Sequence, residues 1–217
     1  MKRLGMTYYD PNYVYFDSFD RSSVVVDVGC GYEAEFSRHM IARHGLKAYG
    51  VDPTRKHVPF LAKLVASSGG RFIHLPFAVA REGRVLTFHE SRENESGSLL
   101  AEHTNVRRDE TTSYEVEAVS LAQLKSRIDA DEIAFLKLDL EGAEYDLLRD
   151  VSSSDLTSID QLFVEFHHHC TDHTIAETNA IVARIAAIGF DVFTLDRHNF
   201  LFSRPRTARS ARSVGRP

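Results

Sequence analysis

The sequence predicts an α/β protein with a mostly parallel sheet flanked by helices and an antiparallel C-terminal strand. Apolar runs of strand length alternate along the chain with longer segments of helical periodicity. This alternation is typical of a parallel sheet covered by helices on both faces. The chain has 217 residues, 43% of them hydrophobic, which is enough to bury the core of one such sheet.

The predicted elements follow one another in a regular order. The first strand is the β-branched run at 24–28, and a helix over 33–44 stops at Gly45, a residue suited to ending a helix. Ile181, Val182, Ile185 and Ile188 share one face of the last helix. The further predicted strands are 47–51, 71–79, 133–138, 161–166, 190–195 and 199–202, and the further helices are 57–67, 143–151 and 175–188.

The domain organisation predicted is one domain over residues 1–203. Residues 1–22, rich in Tyr8, Tyr9, Tyr13, Tyr15 and Phe16, are expected to form a lid over the site or to cover a sheet edge. The polar interval 81–119 interrupts the rhythm, and we interpret it as an insertion over the strand ends, with short strands at 85–89 and 114–119. Residues 204–217 form a basic tail expected to be disordered.

Composition excludes several classes of function. The tail carries five arginines and no acid, so the rest of the chain has 21 basic against 31 acidic residues and a formal charge of −10. That charge disfavours a nucleic-acid partner. We expect a cytoplasmic protein without a membrane partner, since neither a signal sequence nor a membrane span is present. The two cysteines do not indicate a disulfide framework. The sequence does not define the oligomeric state, and a homodimer is one of the possibilities.

A glycine loop follows the first strand in the stretch DVGCGYEAEF. Gly29, Gly31 and Ala34 have the spacing of a nucleotide-binding loop, and Asp52 ends the second strand where an acid that binds ribose is expected. Cys30 lies between the glycines and is included among the residues expected to contact the cofactor. We expect its thiol to pack within the loop and not to react. The candidate residues for an adenine pocket are Phe77 and Ala78.

The charges around this loop favour one class of ligand. Asp27 precedes the loop, and Glu33 and Glu35 fall in the first predicted turn. A dinucleotide phosphate is disfavoured next to acid at a helix N-terminus. S-adenosylmethionine carries a sulfonium and an α-ammonium group, so acid attracts it. The loop therefore indicates an adenosine cofactor with a cationic amino-acid arm.

A second informative stretch is FLKLDLEGAEYDLL. It places Lys137 and Asp139 on one strand, and Glu141 and Glu144 directly after it. Carboxylates gathered at the carboxyl end of a strand are costly unless they are paired or used. Ligands of open parallel sheets bind at this edge.

In their order, DVGCG, GVDP, FLKLDLEGAEYDLL and LFVEFH resemble the FkbM-type S-adenosylmethionine-dependent methyltransferases. The resemblance covers about residues 24–202, and K-x-D-x-E-G-x-E is its most specific element. It implies a Rossmann-like class I methyltransferase fold. It also implies an O-methyltransferase whose partner is a small hydroxylated acceptor, often a sugar or a natural-product intermediate.

The chemistry of such a transfer suggests roles for these side chains. A hydroxyl group needs a base or a metal ion to become a nucleophile. We predict Asp139, Glu141 and His167 as catalytic residues, with Asp139 as base or metal ligand. Asp139, Glu165 and His167 are the predicted ligands of an optional Mg²⁺.

Three alternatives remain open from the sequence. The glycine loop also fits a nicotinamide-dependent oxidoreductase or a non-catalytic module that binds the cofactor. A zinc site is the third alternative, with the ligands His167, His169, Cys170 and His173.

Overall fold

The computed structural model describes residues 6–8, 13–128, 130–194 and 196–205. The strands in chain order are β1 (Met6–Tyr8), β2 (Val14–Phe16), β3 (Val24–Val28), β4 (Lys47–Val51), β5 (Phe72–Leu75), β6 (Ala78–Val79), β7 (Arg84–Ser91), β8 (Gly97–Ser98), β9 (Thr111–Val119), β10 (Phe135–Asp139), β11 (Gln161–Glu165), β12 (Asp191–Thr194) and β13 (Asn199–Ser203). The α-helices are α1 (Glu35–His44), α2 (Val58–Ser67), α3 (Thr104–Arg107), α4 (Leu121–Arg127), α5 (Glu144–Leu148), α6 (Ser153–Leu156) and α7 (Ile175–Ala187).

A seven-stranded sheet has the order β12-β13-β11-β10-β3-β4-β5. β3 pairs in parallel with β4 and β10, and β10 pairs in parallel with β11. β13 runs antiparallel to both of its neighbours. The mostly parallel sheet with an antiparallel C-terminal strand is thereby confirmed, and the carboxyl ends of β3, β4, β10 and β11 meet at one edge.

Both faces of this sheet are buried. Val24, Val26 and Val28 of β3 pack into one hydrophobic cluster, whereas Val25 packs into another on the opposite face. Strands of a parallel sheet read as continuous apolar runs because helices cover both faces. This burial on both sides explains why β3, β10 and β11 could be recognised from sequence.

The predicted strand 71–79 is wrong as a single element. β5 ends at Leu75, and β6 belongs to a separate four-stranded sheet of order β6-β9-β7-β8. Pro76 lies at the break, where a residue without an N–H cannot continue a ladder. The second sheet is formed by β6 and the interval 81–119, in which β7 and β9 pair from Arg84 to Ser91.

The N-terminal hairpin packs on one face of the central sheet. β1 and β2 are antiparallel, and Tyr15 is fully buried in the cluster that contains Val25 and Phe135. Tyr9 and the tail from residue 206 lie outside the described residues. Among the described residues, no helix has both the length and the apolar character required to cross a membrane.

Candidate active site

The glycine loop lies between β3 and α1, against the end of β10. Gly29 has φ +74°, and a Cβ built there would come within 1.8 Å of the Asp139 backbone oxygen. Gly31 has φ +67° and open space around the corresponding position. Glycine is therefore required at position 29 for two reasons, its left-handed backbone and the close approach of β10. Residues 32–34 extend the loop, and α1 starts at Glu35 rather than at Glu33.

Asp52 ties this loop to the end of β4. Its carboxylate accepts hydrogen bonds from the Gly31 N–H at 3.0 Å and the Thr54 N–H at 2.8 Å, and it lies 3.1 Å from His57 Nδ1. Burial would raise the pKa of Asp52, but His57 and Thr54 outweigh burial and hold the pKa below its ordinary value. A carboxylate has about four lone-pair positions, so one acceptor position remains for a ligand.

Asp27 is buried beneath the loop. One of its oxygens accepts a hydrogen bond from the Ser37 hydroxyl at 2.8 Å, and Oδ1 has no hydrogen-bond partner. Lys137 Nζ lies 3.4 Å from that Oδ1, 3.1 Å from Asp139 Oδ2 and 3.3 Å from the Gly29 carbonyl. Lys137 thus supplies one positive charge between the carboxylates of Asp27 and Asp139, so the net negative charge beside the loop is smaller than the number of acids in the sequence indicates.

Two cavities open on either side of the glycine loop. The first, of about 170 Å³, is lined by residues that include Asp52, Phe77 and Ala78. The second, of about 350 Å³, is lined by residues that include Asp27, Cys30 and Lys137. Four residues line both cavities: Gly29, Gly31, Glu95 and Asp139.

Cys30 has no exposed reactive thiol. The residue is buried, its Sγ lies 3.6 Å from the Gly31 carbonyl, and burial together with the Asp52 carboxylate raises its pKa well above the ordinary value. Reactive cysteines have a lowered pKa, so the Cys30 thiol is suited to packing in the loop.

A cluster of acids and a histidine lies beside the cavities. Donor atoms of Asp139, Glu141 and His167 lie within 4.8 Å of one another. His167 Nε2 lies 3.6 Å from Asp139 Oδ1 and 3.7 Å from Glu141 Oε2. Its Nδ1 lies 3.1 Å from Oε1 of the buried Glu144. Burial would lower the pKa of His167, but the Glu144 carboxylate, with Asp139 and Glu141, outweighs burial and raises the pKa to about 10.

Local backbone geometry holds Glu141 in this cluster. Glu141 has φ +50°, an unfavourable value for a residue with a side chain. The Ser98 hydroxyl donates to its carbonyl at 2.7 Å, and His103 Nε2 lies 2.8 Å from its Oε2. Contacts from the 81–119 interval therefore stabilise the strained turn, and they place Glu141 beside Asp139.

Glu165 neighbours this cluster but is not among the three residues whose donor atoms lie close together. It lies opposite Asp139 in the β10–β11 register, and the Tyr13 hydroxyl donates to its Oε2 at 3.5 Å. Burial, followed by the Asp139 charge, raises the pKa of Glu165 to about 7. The geometry brings Glu141, rather than Glu165, together with Asp139 and His167.

The residues of the alternative zinc site are not brought together. Cys170 Sγ lies 3.2 Å from His103 Nε2, and His173 stacks on Tyr145 with ring centroids 3.9 Å apart. Within the described part of the chain, His167, His169, Cys170 and His173 do not form a set of closely spaced ligands. The structure thus gives no support to the zinc alternative.

Four residues around the site were not predicted as site residues: Lys137, His57, Glu95 and His103. Lys137 was visible in the K-x-D-x-E-G motif, but its burial between two carboxylates depends on how β3 and β10 pair. Glu95 and His103 belong to the 81–119 interval, and no local signal indicates which of its polar residues reach the sheet.

The raised pKa of His167 has a measurable consequence for stability in metal-free protein. Because folded His167 binds its proton more tightly than unfolded His167 does, protonation stabilises the fold. This contribution is complete below the pKa of His167 in the unfolded chain, about 6.5, and it is lost as pH rises through the folded pKa of about 10. We expect the Tm difference between wild type and His167→Gln to shrink from pH 6.5 to 10, measured with chelator present. A difference that grows with pH would contradict the assignment.

Solved structures with a similar fold are methyltransferases and RNA-processing proteins of low sequence identity. The chain resembles M. capricolum TrmK in complex with S-adenosylhomocysteine (11% identity, TM-score 0.40, 86% of this chain and 62% of that one). It also resembles the Methanococcus jannaschii fibrillarin pre-rRNA processing protein, with 9% identity and a TM-score of 0.49 over 85% of this chain and 67% of that one. An rRNA methylase from Streptococcus thermophilus has 11% identity and a TM-score of 0.45 over 86% of this chain and 89% of that one. The chain thus spans less than two thirds of the length of the first of these proteins. No protein with a curated description matches it.

A family model gives the assignment. The model of the methyltransferase FkbM domain matches residues 30–192, which is most of the chain. The matched range contains the end of the glycine loop, Asp52 and the whole acid cluster. The chain therefore belongs to the FkbM family of S-adenosylmethionine-dependent methyltransferases and has their Rossmann-like class I fold.

Proposed function

We propose that the protein is an O-methyltransferase that transfers the methyl group of S-adenosylmethionine to a hydroxyl of a small acceptor, a saccharide or a natural-product intermediate. One observation carries the proposal: Asp139 lines both cavities beside the glycine loop and also belongs to the Asp139–Glu141–His167 cluster. A group that accepts the acceptor's proton must lie next to the methyl donor.

The proposed cofactor site extends across the two cavities. In the proposal, Asp52, Phe77 and Ala78 hold the adenosine, since the first cavity combines a buried carboxylate with apolar walls. Asp27 faces the amino-acid arm in the second cavity, where its Oδ1, which has no hydrogen-bond partner and lies 3.4 Å from Lys137 Nζ, suits an ammonium group. When bound, the cofactor supplies an electrophilic methyl group on a sulfonium.

The acid cluster supplies the acceptor chemistry. A pKa of about 10 keeps His167 protonated near neutral pH, so without a metal ion it acts as a donor and not as the base. We assign the role of base to Asp139, because it lines both cavities. Its Oδ1 lies 3.6 Å from His167 Nε2, and Lys137 holds its Oδ2 at 3.1 Å. The hydrogen bond from the Lys137 ammonium holds the carboxylate in place.

A divalent ion is the second way in which this cluster can activate a hydroxyl. Two carboxylates and one imidazole are ligands that Mg²⁺ or Mn²⁺ accept, and the ion lowers the pKa of a bound hydroxyl. Asp139, Glu141 and His167 would hold it. The imidazole must lose its proton to bind the ion, so binding is expected to strengthen with rising pH.

Chelation tests the metal directly. We expect methyl transfer to fall at least about 100-fold in EDTA and to recover when Mg²⁺ is added in excess, the scale of losing a catalytic metal. The control is S-adenosylhomocysteine binding, which should be unchanged in EDTA because its proposed contacts through Asp27 and Asp52 do not involve the metal ion. Full activity in chelator would remove the metal and leave Asp139 as a base alone.

The class of acceptor is tested with labelled methyl groups. A panel of free sugars, glycosides, phenols, RNA and DNA is incubated with the protein and methyl-labelled cofactor, and products are identified by mass spectrometry. The formal charge of −10 outside the tail favours small acceptors over nucleic acid. Transfer to RNA but to no hydroxylated small molecule would overturn the proposed acceptor, and no transfer to any class would favour a cofactor-binding module. The family assignment gives no support to the nicotinamide alternative.

A further inference from the structure

We infer that Glu95 is a specificity-determining residue for the charge of the cofactor: its carboxylate favours the sulfonium of S-adenosylmethionine over the neutral thioether of S-adenosylhomocysteine. Glu95 belongs to the turn between β7 and β8 and was not a sequence candidate. The inference rests on the proposed placement of the cofactor across the two cavities.

The position of Glu95 is the first argument. The sulfur atom of the cofactor joins the ribose to the amino-acid arm, so it must lie where the adenosine cavity meets the arm cavity. Of the four residues that line both cavities, Gly29 and Gly31 have no side-chain charge, which leaves the carboxylates of Glu95 and Asp139. Glu95 comes from the second sheet and Asp139 from the first, so they approach this junction from different parts of the fold.

The second argument is that the turn carrying Glu95 is fixed. The Ser91 N–H donates to the Ser96 carbonyl at 3.0 Å, and the Ser96 N–H donates to Asn94 Oδ1 at 2.8 Å. Lys56 Nζ donates to the Asn94 carbonyl at 2.6 Å and also to the Ser91 carbonyl. The turn is therefore attached both to itself and to the segment that follows Asp52, which keeps Glu95 over the glycine loop.

The third argument is the balance of charge. Lys137 supplies one positive charge that is shared by Asp27 and Asp139, and Gly31, Thr54 and His57 take three of the acceptor positions of Asp52. In the described part of the chain, no lysine or arginine pairs with Glu95. The charge of Glu95, followed by that of Glu33, raises the pKa of the Tyr32 hydroxyl. This hydroxyl is uncharged and can donate only a hydrogen bond, so Tyr32 brings no positive charge to the junction.

Isothermal titration calorimetry with two ligands tests the inference. Glu95→Gln keeps the shape of the side chain and removes its charge. We expect the Kd for S-adenosylmethionine to rise about five-fold and the Kd for S-adenosylhomocysteine to change less than about two-fold, the scale of one solvent-screened charge pair. The matched control is Glu93→Gln, an exposed residue of the same turn that lines neither cavity, and it should change neither Kd.

The remaining outcomes separate the role of Glu95 from the placement of the cofactor. An equal change in both Kd values, or no change in either, would overturn the role of Glu95 and leave the proposed function intact. Wild-type protein that binds neither ligand would overturn the cofactor placement as well. Added salt should reduce the preference for S-adenosylmethionine more in the wild type than in Glu95→Gln, because the variant has one carboxylate fewer at the junction to screen.

Discussion

Replacing Gly29 with alanine is expected to abolish cofactor binding. The new Cβ would lie 1.8 Å from the Asp139 backbone oxygen, and the residue would have to keep φ +74°. A clash between main-chain atoms cannot be relieved by a side-chain rotation, so the loop must move away from β10 and both cavities change shape. We expect S-adenosylhomocysteine affinity to fall at least about 100-fold and Tm to fall with it, measured by calorimetry and thermal unfolding.

Gly69→Ala is the matched control for backbone strain. Gly69 has φ +61°, but a Cβ added there would meet nothing within 4 Å, and the residue lines neither cofactor cavity. Its cost should be about 1 kcal/mol of stability, the penalty of a left-handed residue with a side chain, without an effect on binding. If Gly29→Ala bound the cofactor as Gly69→Ala does, the close approach of β10 would have no functional role.

Replacing Asp139 with asparagine is expected to lower turnover at least about 100-fold while S-adenosylhomocysteine affinity stays within about three-fold. Asparagine keeps the shape of the side chain but can neither accept a proton nor offer a charged oxygen to a metal ion. The cofactor remains bound because its proposed contacts through Asp27 and Asp52 are untouched. Single-turnover rates and calorimetry on the same preparations separate the two effects.

Asp146→Asn is the control for the loss of one negative charge. Asp146 lies on α5, close in sequence, but it is exposed and lines neither cofactor cavity. Its turnover should match the wild type. Wild-type turnover in Asp139→Asn would remove Asp139 from the mechanism, whereas a changed Mg²⁺ requirement in the residual activity would identify Asp139 as a metal ligand instead of a base.

The parallel core of the fold could be predicted because its signals are local. β3 and β4 have the predicted bounds, and β10 and β11 differ by only one or two residues, since strands buried on both faces are continuous apolar runs. The end of α1 at Gly45, with φ +67°, also follows from one residue. The helix predicted over 143–151 is shorter, 144–148, because a turn precedes it and the chain leaves helical geometry before Val151.

Two helices that are not among the predicted elements, α4 and α6, also have local sequence signals. α4 begins with a capping box in which Ser120 and Gln123 exchange hydrogen bonds, a pattern of serine and glutamine three residues apart. The same type of cap starts α6 at Ser152 and Asp155. Pro76 marked the break between β5 and β6, and treating it as a strand interior produced the wrong continuous strand.

The sequence by itself determined the alternation of strands and helices, the glycine loop, and the motif that places Asp139 and Glu141 at a strand end. Those features depend on residues close together in the chain, where periodicity and backbone preference are strong. Only the tertiary structure decided that Lys137 lies between Asp27 and Asp139, that Glu141 rather than Glu165 lies beside His167, and that Glu95 reaches the glycine loop. Each of these depends on strand register or on the path of a distant turn, and charges interact through space rather than along the chain.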